Sequence, residues 1–128
     1  MAAAMPVGVE RMAQMPVAER ANFSVFQRLA QGTAVRVGGR FAAAADEPSR
    51  RVLTTTDGGT LTLSGDDTLP QTDSFVEVVG TKAGDNVLAA SGAVPFPGDE
   101  ADVELWDEAV KMSHMPQVRA LFAPRVVA

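Results

Sequence analysis

Residues 34–41 read Ala34-Val-Arg-Val-Gly-Gly-Arg-Phe41, and this stretch decides the fold. Val35, Val37 and Phe41 fall on one face at a period of two, with Arg36 and Arg40 on the other, the pattern of a half-buried strand. Phe41 keeps step with the valines, so it is expected in the core rather than as an exposed ring. The next strand is Arg51–Thr56, rich in β-branched residues, and Asp57-Gly58-Gly59 turns it into a return strand, Thr60–Leu63. A polar connection containing Pro70 leads to Phe75–Val79, ended by Gly80. Asp85-Asn86 then turns the chain into Val87–Val94, which Pro95 and Pro97 close because proline cannot donate to a ladder.

On the N-terminal side, Phe23, Phe26 and Leu29/Ala30 recur at helical spacing after Asn22, and Gly32 stands where a C-terminal cap would. On the C-terminal side, Asp99, Glu100 and Asp102 place negative charge at the start of a helix expected over 102–114. That helix stops because Pro116 restricts Met115. Five strands between two helices predict a mainly β fold, a small closed antiparallel barrel with a short N-terminal helix and a C-terminal helix. The expected boundaries are a flexible extension over 1–19, the barrel over 20–98, the helix over 99–116 and a tail over 117–128.

The 128 residues carry no Cys, one His (His114) and one Trp (Trp106). Disulfides, thiol catalysis and cysteine zinc sites are thereby excluded, and one His cannot build a histidine metal cluster. The carboxylates at Asp66-Asp67, at Asp99, Glu100 and Asp102, and at Glu104, Asp107 and Glu108 fall in loops or on a wet helix face. Acid–base catalysis would need two of them held in a pocket with divergent pKa values. Asp57-Gly58-Gly59 lacks the lysine and spacing of a phosphate-binding loop. No catalytic residue, metal ligand or cofactor is expected, and no enzymatic activity. No apolar run approaches the roughly 20 residues that span a bilayer, and the start lacks a basic region followed by a long apolar core. A soluble, intracellular protein is expected.

The net charge of −5 is unevenly spread. Residues 1–56 carry +3, residues 57–108 carry −11 with Lys82 as their one cation, and residues 109–128 carry +3. The acidic middle would repel a polyanion, whereas binding to nucleic acid draws most of its affinity from neutralised phosphates. Arg36, Arg40, Arg50 and Arg51 make one local basic patch that could touch phosphate weakly; otherwise they are solvated or pair with Asp46, Glu47 and the acidic block.

Advancing roughly 100° per residue from Val103, residues Met112, Leu105, Ala109, Ser113, Trp106, Val110 and Val103 fill a continuous half-circle. Asp107, His114, Lys111, Glu104, Glu108 and Met115 fill the other half, with Asp107 and Lys111 paired i, i+4 on the wet side. His114 is expected to be exposed near the helix end. The apolar arc is wider than the roughly 100° stripe that covers one core. Either the whole arc packs on the chain's own barrel, or the surplus is covered by another chain with Trp106 as an anchor.

Four segments then stand together: Arg20-Ala-Asn22, Val35-Arg-Val-Gly-Gly-Arg40, Ser74-Phe-Val-Glu-Val-Val-Gly80 and Leu105-Trp-Asp-Glu-Ala-Val-Lys111. In this order and spacing, over about Ala18 to Pro116, they resemble the smallest subunit of replication protein A, the eukaryotic heterotrimer that coats single-stranded DNA. Glu108-Ala-Val-Lys111 is the more specific element, since strands like Val76-Glu-Val-Val-Gly80 occur in many OB-fold barrels. The resemblance implies a five-stranded OB-fold barrel whose C-terminal helix joins those of the middle and large subunits in a three-helix core. Val103, Leu105, Trp106, Ala109, Val110 and Met112 would form that interface. It also implies a nuclear protein of DNA replication, repair and recombination that meets single-stranded DNA mainly through the complex, with no membrane and no small-molecule substrate. The residues leave two rivals open: an OB-fold module that itself binds single-stranded nucleic acid, and the small OB subunit of a telomere-capping complex. Residues 1–17 and the tail after Pro116 have no clear counterpart in the family, and Ser113 occupies the arc where an aliphatic residue would pack better.

Overall fold

The computed structural model describes residues 18–46, 50–65, 69–70, 72–96 and 103–122. The strands are β1 (Glu19–Ala21), β2 (Ala34–Ala43), β3 (Arg51–Thr55), β4 (Thr60–Gly65), β5 (Val76–Gly84) and β6 (Val87–Pro95). The helices are α1 (Phe23–Arg28), α2 (Val103–Ser113) and α3 (Arg119–Phe122). All five expected strands form, and the Asp57-Gly58-Gly59 turn joins β3 to β4 with Gly58 at φ 85°. Glycine meets that left-handed conformation without steric cost. The expected helix start at Asp99–Asp102, the Asp66-Asp67 pair, Glu47 and the extension through Val17 lie outside the described residues.

Strands β2 to β6 close a barrel in the order β2-β3-β4-β6-β5, with β5 returning to β2. The fold is a five-stranded OB barrel. It is not wholly antiparallel as the alternation suggested: β4 and β6 run parallel, from Thr62↔Val87 to Gly65↔Ala90. A closed ring of five strands cannot alternate direction all the way round, so one parallel pair is unavoidable. Side-chain period reports the face of a strand and carries no information about its neighbour's direction.

Strand β1 is an addition to the expected barrel, whose region starts at residue 20 and carries no expected strand there. One edge of β2 is shared: Gly39–Ala43 pair with β3, while Val35–Val37 pair in parallel with Glu19–Ala21. Glu-Arg-Ala has no β propensity to announce a strand. The open half-edge of β2 recruits it.

The barrel interior is filled by Val35, Val37, Leu53, Leu61, Val76, Val78 and Leu88, with Phe26 of α1 as the plug, all fully buried. Both ends of α1 are tied down. Asn22 caps its start by accepting from Val25 N at 2.9 Å, and the Asp57 carboxylate accepts from Phe23 N and Ser24 N at 2.9 and 3.0 Å. At the other end the buried Lys82 ammonium donates to Phe26 O and Leu29 O at 2.9 and 2.8 Å, satisfying carbonyls that a helix leaves open. The single cation of the acidic block thus serves as an internal helix cap. Phe41 is half-buried against this core, and Arg51 lies over its ring at 4.7 Å.

Candidate functional site

The sequence directs attention to α2, and the structure shows how it is seated. Trp106 packs against the barrel wall between Phe75 and Phe96, with ring centroids 5.0 and 5.4 Å away in edge-to-face arrangements. Arg20 of β1 covers another side of the indole at 5.1 Å, and its Nε donates to Glu77 at 2.8 Å. The ring lies against Gly38 of β2, where a Cβ would stand 2.5 Å from Trp106 Nε1 and 2.6 Å from Phe75 Cζ. A glycine inside a strand marks such a close approach, and the Gly38-Gly39 doublet is the sequence signal that could have located this seat.

Asp107 follows, and here the wet-face expectation fails. Its side chain is buried, and Oδ1 accepts from Asn22 Nδ2 at 2.9 Å and from Thr56 Oγ1 at 3.0 Å. Oδ2 meets Lys111 Nζ at 3.0 Å, so the expected i, i+4 pair is present with one member inside the protein. Burial pushes the Asp107 carboxyl upward, but the donors Asn22, Lys111 and Thr56 outweigh it and hold the group below its ordinary value. A charged side chain at an interior position is tolerated because each oxygen is satisfied. Nothing in the helix itself could reveal this, since Asn22 and Thr56 come from distant segments.

His114 is also less exposed than expected, its side chain retaining 16% of its accessible surface. Arg119 Nη1 lies 3.1 Å from His114 Nδ1, and guanidinium groups only donate, so Nδ1 accepts and the proton on Nε2 is given to Arg20 O at 2.6 Å. Arg119 of α3 also donates to Glu19 at 3.0 Å. The segment expected to be a plain tail therefore holds a helical turn that pins β1 and the end of α2.

These contacts divide the apolar arc. Val110 is buried, and Val103, Trp106 and Ser113 are half-buried on the barrel side. Leu105 at 66% and Met112 at 55% exposure, with exposed Ala109 between them, form a separate stripe at i, i+4 and i+7. The docked face is turned toward Asp107 and the stripe points away from the barrel. Ser113, the misfit in the arc, donates to Val110 O at 2.7 Å and is satisfied within the helix.

The four arginines of the candidate basic patch each take a partner within the chain. Arg36 Nε donates to Ala18 O at 3.0 Å, Arg40 to Asp73 O at 2.8 Å and Arg51 to Pro70 O at 3.0 Å. Arg50 pairs with Asp46 at 2.6 Å. Between the barrel and α2 lies a cavity of about 130 Å³ lined by Arg20, Arg36, Trp106, Ala109, Val110 and Ser113.

Residues 15–118 match the family model of Replication factor A protein 3. The chain belongs to the Replication factor A protein 3 family. Among solved structures, a chain of U. maydis replication protein A bound to single-stranded DNA superposes with a TM-score of 0.64 at 24% identity, covering 86% of this chain and 98% of that one. The S. pombe Stn1–Ten1 complex gives 0.57 at 14% identity, over 76% of this chain and 95% of its counterpart. The S. pombe telomere capping protein Ten1 alone gives 0.57 at 14% identity, over 74% and 95%. At these identities the structural likenesses establish the fold alone. No curated protein sequence gives a significant match.

Proposed function

We propose that this chain is the non-catalytic assembly subunit of a nuclear, heterotrimeric single-stranded-DNA-binding complex that serves DNA replication, repair and recombination. Helix α2 holds the middle and large subunits in a three-helix core. The observation that carries this reading is the Leu105–Ala109–Met112 stripe, exposed on a helix whose opposite face is anchored to the barrel. Its i, i+4, i+7 spacing is the seam through which helices interdigitate. Trp106 and Val110, assigned by the resemblance to the interface, serve instead to fix the helix on the barrel and set its angle. Family membership supports the partners, and the docking of α2 supports the mode.

Direct binding of single strands by this chain is the weaker reading. Such a face needs exposed rings for stacking and free cations for phosphate. Here Arg36, Arg40, Arg50 and Arg51 are each engaged within the chain, and Phe23, Phe26, Phe41, Phe75, Phe96 and Trp106 are all buried or half-buried. The test is co-expression with the middle and large subunits, read by light scattering after size exclusion. A 1:1:1 particle for the natural chain and its loss in Met112→Asp, with the melting temperature of the isolated chain unchanged, is the expected result. A Met112→Asp chain that still assembles fully would remove α2 from the role.

A further inference from the structure

We propose that the cavity between β1, β2 and α2 receives an acidic side chain from the partner helix that lies along the Leu105–Ala109–Met112 stripe. This deepens the assembly reading above and rests on it. Arg20 and Arg36 are direct register partners on the parallel strands β1 and β2, and both line this cavity. Like charges placed opposite one another on neighbouring strands are destabilising unless a counter-charge intervenes. One carboxylate, Glu77, serves Arg20, while Arg36 has a backbone carbonyl, Ala18 O, at its Nε. Glu19, the next acid on β1, is committed to Arg119. Among the described residues the terminal nitrogens of Arg36 therefore meet no carboxylate, in a chain whose net charge is −5.

Shape names the occupant. The cavity of about 130 Å³ has the arginines on one side and Trp106 and Val110 as apolar walls, dimensions suited to a carboxylate with its methylenes. Ala109 lines the cavity and also stands in the exposed stripe, so a helix laid along the stripe passes over the cavity mouth. Arginine binds a carboxylate in a two-pronged, charge-assisted geometry, which would fix the partner's register along α2. A nucleotide fits less well. Phe75, Phe96 and Arg20 already surround the indole and leave no open ring for a base to stack on.

The experiment uses the full chain assembled with its middle and large subunits. Arg36→Gln is expected to weaken assembly on the order of 30-fold and to flatten its salt dependence, with partial recovery in Arg36→Lys. If Arg36→Gln assembles with natural affinity while Met112→Asp does not, the cavity proposal is overturned and the stripe reading stands. If both variants assemble normally, both fall. Loss of oligothymidine binding by the isolated Arg36→Gln chain, with assembly unchanged, would make the cavity a phosphate site and also overturn the proposal. Ala109→Glu against Ala109→Gln, at an exposed helix position, covers the case in which Arg36→Gln does not fold. The in-chain carboxylate should occupy the arginines and weaken assembly more than its neutral isostere, and equal effects would overturn the proposal.

Discussion

Asn22 and Asp107 stand 85 positions apart and share a buried hydrogen bond, Nδ2 to Oδ1, of 2.9 Å. The same Asn22 side chain accepts from Val25 N, so one residue both starts α1 and holds α2. The start of α1 and helix α2 are thereby joined through one side chain with both ends in use.

Replacing that residue tests the coupling. Asn22→Ala removes a helix cap, worth about 1 kcal/mol, and leaves a buried carboxylate short of a donor at a further cost of about 1–3 kcal/mol. The urea midpoint should fall accordingly, and Trp106 emission should shift to the red before the barrel unfolds, as α2 lifts away. A single transition with natural stability would show that the bond contributes nothing.

The Asp107–Lys111 pair predicts an acid limb with a definite sign. Asp107 titrates below its ordinary 3.8 in the folded chain, so its contribution is present above that value and lost as pH falls through the folded pKa. Lys111 is raised above 10.5 by Asp107, so its share is present below 10.5 and lost as pH rises through its folded value. The urea-midpoint gap between the natural chain and Asp107→Asn should be constant at neutral pH and narrow below pH 3.8. A gap that ignores pH would refute the assignment.

Gly38→Ala would place a methyl 2.5 Å from Trp106 Nε1. The indole must move, and overpacking of this kind costs about 1–3 kcal/mol. Near-ultraviolet circular dichroism of Trp106 should weaken while the far-ultraviolet spectrum of the barrel is kept. An unchanged near-ultraviolet signal would place the ring elsewhere.

Much of the barrel is legible in the local sequence because alternation is a property of neighbours along the chain. The valines at 35 and 37 and the Asp57-Gly58-Gly59 turn announce themselves whatever they later pack against. The four-segment resemblance leads to the family in the same way, through residues read in order. The candidate interface is less legible. Periodicity draws one arc from Val103 to Met112, and only the docked helix shows that Trp106 and Val110 face the barrel while Leu105 and Met112 face out.

What the sequence by itself determined is the five barrel strands, the two main helices and the unusual breadth of the apolar surface on the second. Those follow from contacts between residues a few positions apart. Tertiary structure alone decided the parallel closure of β4 on β6, the recruitment of Glu19–Ala21 to β2, the burial of Asp107 and the pairing of Arg20 with Arg36. Each of these joins segments far apart in the chain, and a side chain's partner across the fold leaves no mark on the residues beside it.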